Sequence, residues 1–464
     1  MMWRCIFLSV VSLASCLAAE VSGSWSGSIK VPLSELAIRV ELKQDGGEGG
    51  AWSGTIDIPA QGLKGFALSE VTVQDAEVSF AMPGVAGSPK FAGQVKDAAL
   101  DGKFTQRGLS FPFHLERGIT VPIVHAQEPV KPYPYREEQV VIERPAAGIR
   151  LAGALTLPEG KGPYPAVVLI TGSGAQDRDE ALMGHRPFLV LADHLTRAGI
   201  AVLRCDDRGV GGSTGDLRRA TYEDLAADVL AQIAWLKARP EIDAKRTGVA
   251  GHSEGGYVGP LAAAQRPESI AFAVLLAAPG IPMEKILVQQ GKDLAKANGA
   301  NFLQVAAGVL AQQQLFDLLK KAPDDAAAEK AVRERVAGQI AGLSEEKRKA
   351  QGLTDEALEA QIQEASSPAL RRLLACDPTV ALRQVTCPVL ALNGGKDMQV
   401  AAKENLAGIR AAIPKAEVIE FPGLNHLFQH CATGAPAEYA TLGETLSPEV
   451  LETISKWILA RKAE

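Results

Sequence analysis

Between residues 22 and 117 apolar and polar positions alternate, most clearly at Leu36, Ile38, Val40 and Leu42 on one face and Ala37, Arg39, Glu41 and Lys43 on the other. Successive side chains of a strand point to opposite faces, so a period of two is a half-buried strand. Asp45-Gly46-Gly47 and Gly49-Gly50 supply a turn, and further short strands are expected at 52–58, 78–82, 91–95 and 109–115. Short strands separated by glycine turns predict an antiparallel all-β sandwich or barrel over residues 20–118. An aromatic-x-Gly unit recurs at Trp25-Ser26-Gly27, Trp52-Ser53-Gly54 and Phe91-Ala92-Gly93. Aromatics that plug a core beside glycines that let strands bend explain it better than a ligand-binding stripe.

Residues 119–135 contain Pro122, Pro129, Pro132 and Pro134 with little periodicity, which reads as a stiff extended linker. From residue 136 the pattern changes. An opening pair of strands is expected at 139–143 and 151–157, then runs that are apolar on both faces at 166–171, 200–205, 247–250, 270–277, 389–393 and 418–421. Such runs suit the buried middle of a mostly parallel sheet flanked by helices, giving an α/β domain over 136–464. Within it, residues 281–386 are dominated by Ala, Gln, Leu, Lys and Glu. Amphipathic helices are expected there at 284–320, 325–341, 344–350 and 355–364, as an insertion placed on the sheet.

The length of 464 residues allows two to four folding units. Forty-eight Lys+Arg against 54 Asp+Glu leave a net charge of -6, without a basic run, which argues against a nucleic-acid partner. Residues 1–19 carry one cation, Arg4, then an apolar stretch and small residues, with no acid before Glu20. That is an export signal. Cleavage after Ala18 or Ala19 gives a free protein; alternatively Leu13-Ala14-Ser15-Cys16 is a lipobox and Cys16 a lipid anchor. Either processing places the chain outside the cytoplasm, periplasmic or anchored to the envelope. Cys205, in an apolar run, is expected to be a buried small hydrophobe, whereas Cys376, Cys387 and Cys431 are candidates for a disulfide.

The sharpest chemical motif is Gly251-His252-Ser253-Glu254-Gly255-Gly256, placed directly after an expected strand and before a helix-compatible stretch. A G-x-S-x-G at such a turn lifts the serine hydroxyl clear of the sheet, while the small residues let strand and helix approach. Serine at its free pKa is a poor nucleophile and needs a base held by a third group. Of seven histidines, His114 and His125 lie in the β domain and linker, His185 and His194 precede the serine, and His252 adjoins it with its side chain aimed elsewhere. His426 and His430 follow the strand at 418–421. His426 is the expected base and His430 a structural or exposed residue. The pair could form an i, i+4 metal site, but no third ligand accompanies it. Asp397, in the loop after the strand at 389–393, is the expected orienting acid, and the order Ser253, Asp397, His426 is that of the hydrolase elbow architecture. The oxyanion needs two preorganised amides. Glu254 N–H supplies one, and Gly172-Ser173-Gly174-Ala175-Gln176-Asp177-Arg178-Asp179 the other, through Ser173 first and Gly174 second. Asp177 and Arg178 are expected to form an ion pair that holds this loop.

These residues resemble the serine esterases of the α/β-hydrolase superfamily, and specifically bacterial esterases with a Gly-Ser-Gly-x-x-Asp-Arg loop before the nucleophile. Arg204-Cys205-Asp206-Asp207-Arg208-Gly209-Val210-Gly211-Gly212-Ser213 matches the strand and turn such enzymes carry between oxyanion loop and elbow; lacking G-K-[ST], it is not a phosphate loop. The resemblance implies an α/β-hydrolase fold, a helical cap at 281–386 and an N-terminal β domain. It further implies acyl-ester hydrolysis on a small-molecule ester substrate, without cofactor or metal. The loop lacks the His-Gly-Gly of lipase-type enzymes. Short- to medium-chain esters are the expected substrates. Resemblance to serine aminopeptidases keeps amide hydrolysis as the alternative, and a noncatalytic envelope- or carbohydrate-binding protein on a hydrolase scaffold is the reading from another class.

Overall fold

The computed structural model describes residues 21–31, 34–44, 50–58, 63–85, 87–118, 125–350 and 353–462. The export signal at 1–19, Cys16 and the turn at 45–49 lie outside the described residues. The chain divides into two compact units.

In the first unit, alternation becomes an antiparallel sheet of nine strands. These are β1 (Gly23–Val31), β2 (Ser34–Gln44), β3 (Trp52–Ile58), β4 (Leu63–Ala67), β5 (Ser69–Gln74), β6 (Glu77–Ala81), β7 (Lys90–Lys96), β8 (Ala99–Gln106) and β9 (Leu109–Arg117). The spatial order is β4-β3-β2-β1-β9-β8-β7-β6-β5, so the two edge strands are neighbours in the chain. Leu68, between them, donates its N–H to Gly54 O of β3 at 2.9 Å, which curls the sheet toward a barrel. Inside lie Ile38, Val40 and Leu42 from β2, with Trp25 and a phenylalanine cluster in which Phe91 meets Phe80, Phe104 and Phe113 at centroid distances of 4.6, 4.8 and 5.4 Å. A Cβ on Gly54 or Gly93 would stand 2.6 Å from a carbonyl oxygen of the adjacent strand, so these glycines serve close strand contact and the aromatics beside them fill the core.

The second unit holds an eight-stranded sheet of β10 (Arg136–Arg144), β11 (Ile149–Leu157), β12 (Tyr164–Ile170), β13 (Ala201–Cys205), β14 (Ile242–His252), β15 (Ala273–Leu276), β16 (Val389–Gly394) and β17 (Glu417–Phe421). The order is β10-β11-β13-β12-β14-β15-β16-β17. β10 and β11 pair antiparallel, β11 joins β13 antiparallel, and every pairing from β13 to β17 is parallel. Alternation still operates inside these apolar strands, because the sheet is covered on both faces. Ala166 and Val168 of β12 pack with α2 (Tyr222–Lys237), α3 (Gly255–Gln265) and a later helix at 402–412, whereas Val167 and Leu169 pack with α1 (Pro187–Arg197) and a helix at 448–459.

The segment 281–386 is less uniform than its composition suggests. The helix expected at 284–320 is two, α4 (Met283–Ala297) and α5 (Phe302–Lys321), broken where Gly299 takes φ +81°. α6 (Asp325–Ile340), α7 (Glu345–Ala350) and α8 (Asp355–Ala365) follow, then α9 (Pro368–Ala375) and α10 (Pro378–Leu382), and beyond β16 come α11 (Ala402–Ala412), α12 (Pro436–Tyr439) and α13 (Pro448–Leu459). Residues 321–367 belong to the first unit and the rest of 281–386 to the second, so the expected insertion is divided rather than a single body. The expected linker also ends early. Gln127 Nε2 donates to Leu446 O at 2.6 Å, its Oε1 receives Thr445 N–H at 2.6 Å, and Glu128 pairs with Arg186, so residues from 125 onward pack on the second unit. Cys376, Cys387 and Cys431, the candidates for a bridge, are free thiols, as is Cys205, which is buried in the core as expected.

Candidate active site

Four strand ends of the second unit hold the residues that the sequence singles out for chemistry. β14 ends at His252, and Ser253 follows at φ +52°, a left-handed conformation that costs a non-glycine residue energy. The turn is held because Ser253 N–H donates to Leu276 O of β15 at 2.8 Å and Gly256 N–H to Ser253 O at 2.9 Å. Gly251, Gly255 and Gly256 are required by crowding: any Cβ there would run into the Gly255 carbonyl, the Ile170 carbonyl and the Ala278 side chain respectively. Among the described residues, the Glu254 amide, at the start of α3, makes no hydrogen bond.

Asp397, beyond β16, is 5 % exposed. Its Oδ1 receives the N–H groups of Gln399 and Val400 at 2.7 and 2.8 Å, and its Oδ2 lies 2.7 Å from His426 Nδ1. His426, beyond β17, sits in a loop pinned by buried Asn425, whose Oδ1 receives the N–H groups of Leu427 and Gln429, each at 3.0 Å. The two loops meet because Gly394 has no side chain to strike the Leu424 and Asn425 carbonyls. His430 is exposed and pairs with Glu444. Among the described residues, no group of three or more His, Cys, Asp or Glu could hold a metal ion.

The loop after β12 passes close to the elbow: a Cβ on Gly172 would stand 3.4 Å from Ser253 Cβ. Gly172 N–H is spent on Glu180 Oε1 at 2.7 Å, whereas the amides of Ser173 and Gly174 bond to no described residue. Its anchors differ from expectation. Arg178 pairs with Asp206, not with Asp177, through Nε–Oδ1 at 2.9 Å and Nη2–Oδ2 at 2.6 Å, and its N–H adds a third bond to Oδ1 at 3.0 Å. Asp177 instead receives the N–H groups of Asp179 and Ala181 on Oδ1, each at 3.0 Å, closing the turn locally. Adjacent residues on a turn send their side chains to different partners, so closeness in the chain alone misled. Asp207 binds the same loop, with Thr171 Oγ1 donating to Oδ1 at 2.8 Å and Gln176 N–H to Oδ2 at 2.9 Å. The Arg204–Ser213 signature is thus the loop's mount: Gly212 N–H returns to Asp206 Oδ2, Ser213 Oγ to Asp206 O, and Arg208 forks onto buried Asp228.

Burial raises the carboxyls of two acids here, Asp207 in the mount and Glu254 on the elbow. Burial pushes the Asp207 carboxyl up to about 7, with nearby Glu180 and Glu254 adding to the rise. Burial also raises Glu254, against the hydrogen bond that Tyr222 OH donates to its Oε1 at 2.7 Å. Asp206, Asp207 and Glu180 were not singled out from the sequence as working residues; the Asp-Asp-Arg-Gly run was visible, but its partners lie some 30 positions upstream.

The chain is similar to several known proteins. The family described as X-Pro dipeptidyl-peptidase (S15 family) matches residues 147–427. A curated relative, Esterase EstD of Thermotoga maritima, is 25% identical over 334 residues, covering 71% of this chain and 69% of its own. Among solved structures, Est1E from Butyrivibrio proteoclasticus with ferulic acid is 17% identical at a TM-score of 0.40, covering 70% of this chain and 100% of its own. An esterase of Pyrococcus furiosus is 16% identical at a TM-score of 0.42, covering 71% and 92%. With more than half of its length matched, from the strands before the elbow to the histidine loop, the chain belongs to the X-Pro dipeptidyl-peptidase (S15) family and is a serine hydrolase of the α/β-hydrolase type.

Proposed function

We propose that the protein is an exported serine carboxylesterase acting on short- to medium-chain acyl esters. The observation that carries this reading is the 2.7 Å contact between Asp397 Oδ2 and His426 Nδ1 at the strand ends that also present Ser253. A carboxylate on Nδ1 keeps the proton there and leaves the Nε2 lone pair to act as base. Ser253 Oγ attacks the acyl carbon, and His426 takes its proton and hands it to the leaving alcohol. The Glu254 and Ser173 amides receive the oxyanion, since neither is committed to another group among the described residues. Water then attacks the acyl-enzyme by the same route. The helices of 281–320 and 368–386, in the same unit as Ser253, act as a cap that limits substrate size, and the relative named as an esterase favours ester over amide. Export rests on residues 1–19, with Cys16 as the alternative anchor.

The test is hydrolysis of p-nitrophenyl esters from acetate to long acyl chains, with wild type beside Ser253→Ala. Activity falling off with chain length and lost by about 10³-fold or more in a folded Ser253→Ala protein is expected. Full turnover by that variant overturns the reading. The S15 match favours a second reading, release of X-Pro dipeptides from small peptides that begin with X-Pro. X-Pro p-nitroanilides turned over faster than every ester would select it.

A further inference from the structure

His252, the residue before the nucleophile, has no part in the reaction as described, yet it is buried between the two loops that serve Ser253. Its Nδ1 lies 2.9 Å from Glu180 Oε1 and its Nε2 lies 3.1 Å from the His426 carbonyl oxygen. The rings of His252 and His426 are 4.8 Å apart. Glu180, only 3 % exposed and at φ +52°, also receives Gly172 N–H on the same Oε1. Both imidazole nitrogens therefore face oxygen acceptors, and a neutral ring has only one N–H to offer. We propose that His252 is a buried imidazolium paired with the Glu180 carboxylate, and that the pair clamps the oxyanion loop at Gly172 to the base loop at His426, making both residues positioning residues for the Ser253 reaction. This rests on the triad reading above.

The surroundings support the charge. Burial opposes it, but Glu180, by charge and hydrogen bond, together with the His426 carbonyl and Asp397, holds the His252 proton above the ordinary imidazole range. The groups facing the pair are Asp397 and His426 from the loops after β16 and β17, and Asp207 and Glu254 on the Glu180 side. A fixed cation about 5 Å from the general base disfavours a second positive charge in the same pocket. It also gives the oxyanion loop a charge-assisted tie to the histidine loop, stronger than a neutral bond.

Two measurements on the full chain test this. In the unreactive Ser253→Ala protein, ¹⁵N histidine spectra at pH 8 are expected to show one ring protonated on both nitrogens that is absent from His252→Gln. Exposed His114, raised by Asp101, is separated by that assignment. Should His252→Gln not fold, Glu180→Gln makes the assignment, because the same resonance then turns neutral. In the reactive enzyme, Glu180→Gln keeps an acceptor for Gly172 and His252 but removes the charge. It is expected to lower kcat about tenfold with KM within about twofold. It is also expected to raise the acidic limb of the pH–rate profile by about half a pH unit. A neutral His252 at pH 8 overturns the proposal, and so does a native kcat and acidic limb in Glu180→Gln. Activity surviving in Ser253→Ala would strike the triad reading instead, and the spectra would still decide the charge on His252.

Discussion

At the scale of single residues, chemistry at this site depends on which nitrogen and which oxygen carry protons. Asp397 accepts two backbone N–H groups on one oxygen and faces His426 on the other, so its charge is held in place by three donors. Asp397→Asn keeps the shape and loses the charge that fixes the imidazole tautomer. A fall of kcat by about 10⁴, with a melting temperature close to wild type, is the expected result from steady-state kinetics and calorimetry. Asp207 works on stability. Its carboxyl titrates at about 7 in the fold against about 3.9 in an unfolded chain. The folded state therefore holds the proton more tightly, so this group stabilises fully below about pH 4 and its contribution disappears as pH rises through about 7. The melting temperature of wild type should fall between pH 5 and 8 more steeply than that of Asp207→Asn; equal slopes would remove Asp207 as the cause.

At the scale of elements, the loop after β12 is rigid because two successive acids hold it. Asp206 takes Arg178 through side chain and backbone, and Asp207 takes Thr171 and Gln176. Asp206→Ala strands the Arg178 guanidinium and frees the Gly212 amide. Removing one partner of such a pair costs about 3 kcal/mol. Denaturant unfolding should show that loss, and ester hydrolysis should fall more than substrate binding because the Ser173 amide loses its mount. An unchanged unfolding midpoint would mean that the loop is carried by its remaining bonds.

At the scale of the whole molecule, chain order and spatial unit part company. Residues 321–367 leave the hydrolase sequence to join the unit built on the N-terminal sheet, where Thr354 lies against Gly108, before the chain returns to β16. Within the segment, α6 and α8 bury Ala328, Val332, Val336, Leu358 and Ile362. A chain lacking residues 1–118 therefore deprives α6 and α8 of the sheet that completes their unit. Limited proteolysis should cut such a chain first within 321–367, while the intact protein resists there; equal resistance would show that these helices hold together alone. Among the described residues no helix is long and apolar enough to cross a membrane.

Periodicity made the strands of both sheets legible, since burial of one face or of two writes a pattern of two or of continuous apolar residues. β1, β4, β5 and β8 escaped notice because their apolar positions are few and interrupted by Ser, Gly, Lys, Glu or Asp. The elbow was legible because its constraints are local: a strand, a strained serine and glycines that only close backbone contact explains. Asp397 and His426 could be placed at strand ends by counting, but their contact depends on Gly394 yielding to the histidine loop. What the sequence by itself determined was what is settled within a few residues, such as strand faces and the turn at Ser253, although the helix break at Gly299 was not read from it. Only the tertiary structure decided the rest: that Arg178 takes Asp206, that four thiols stay free, that 321–367 joins the other unit and that Glu180 reaches His252. Those are pairings between distant segments, and their free energy depends on distances that chain spacing does not encode.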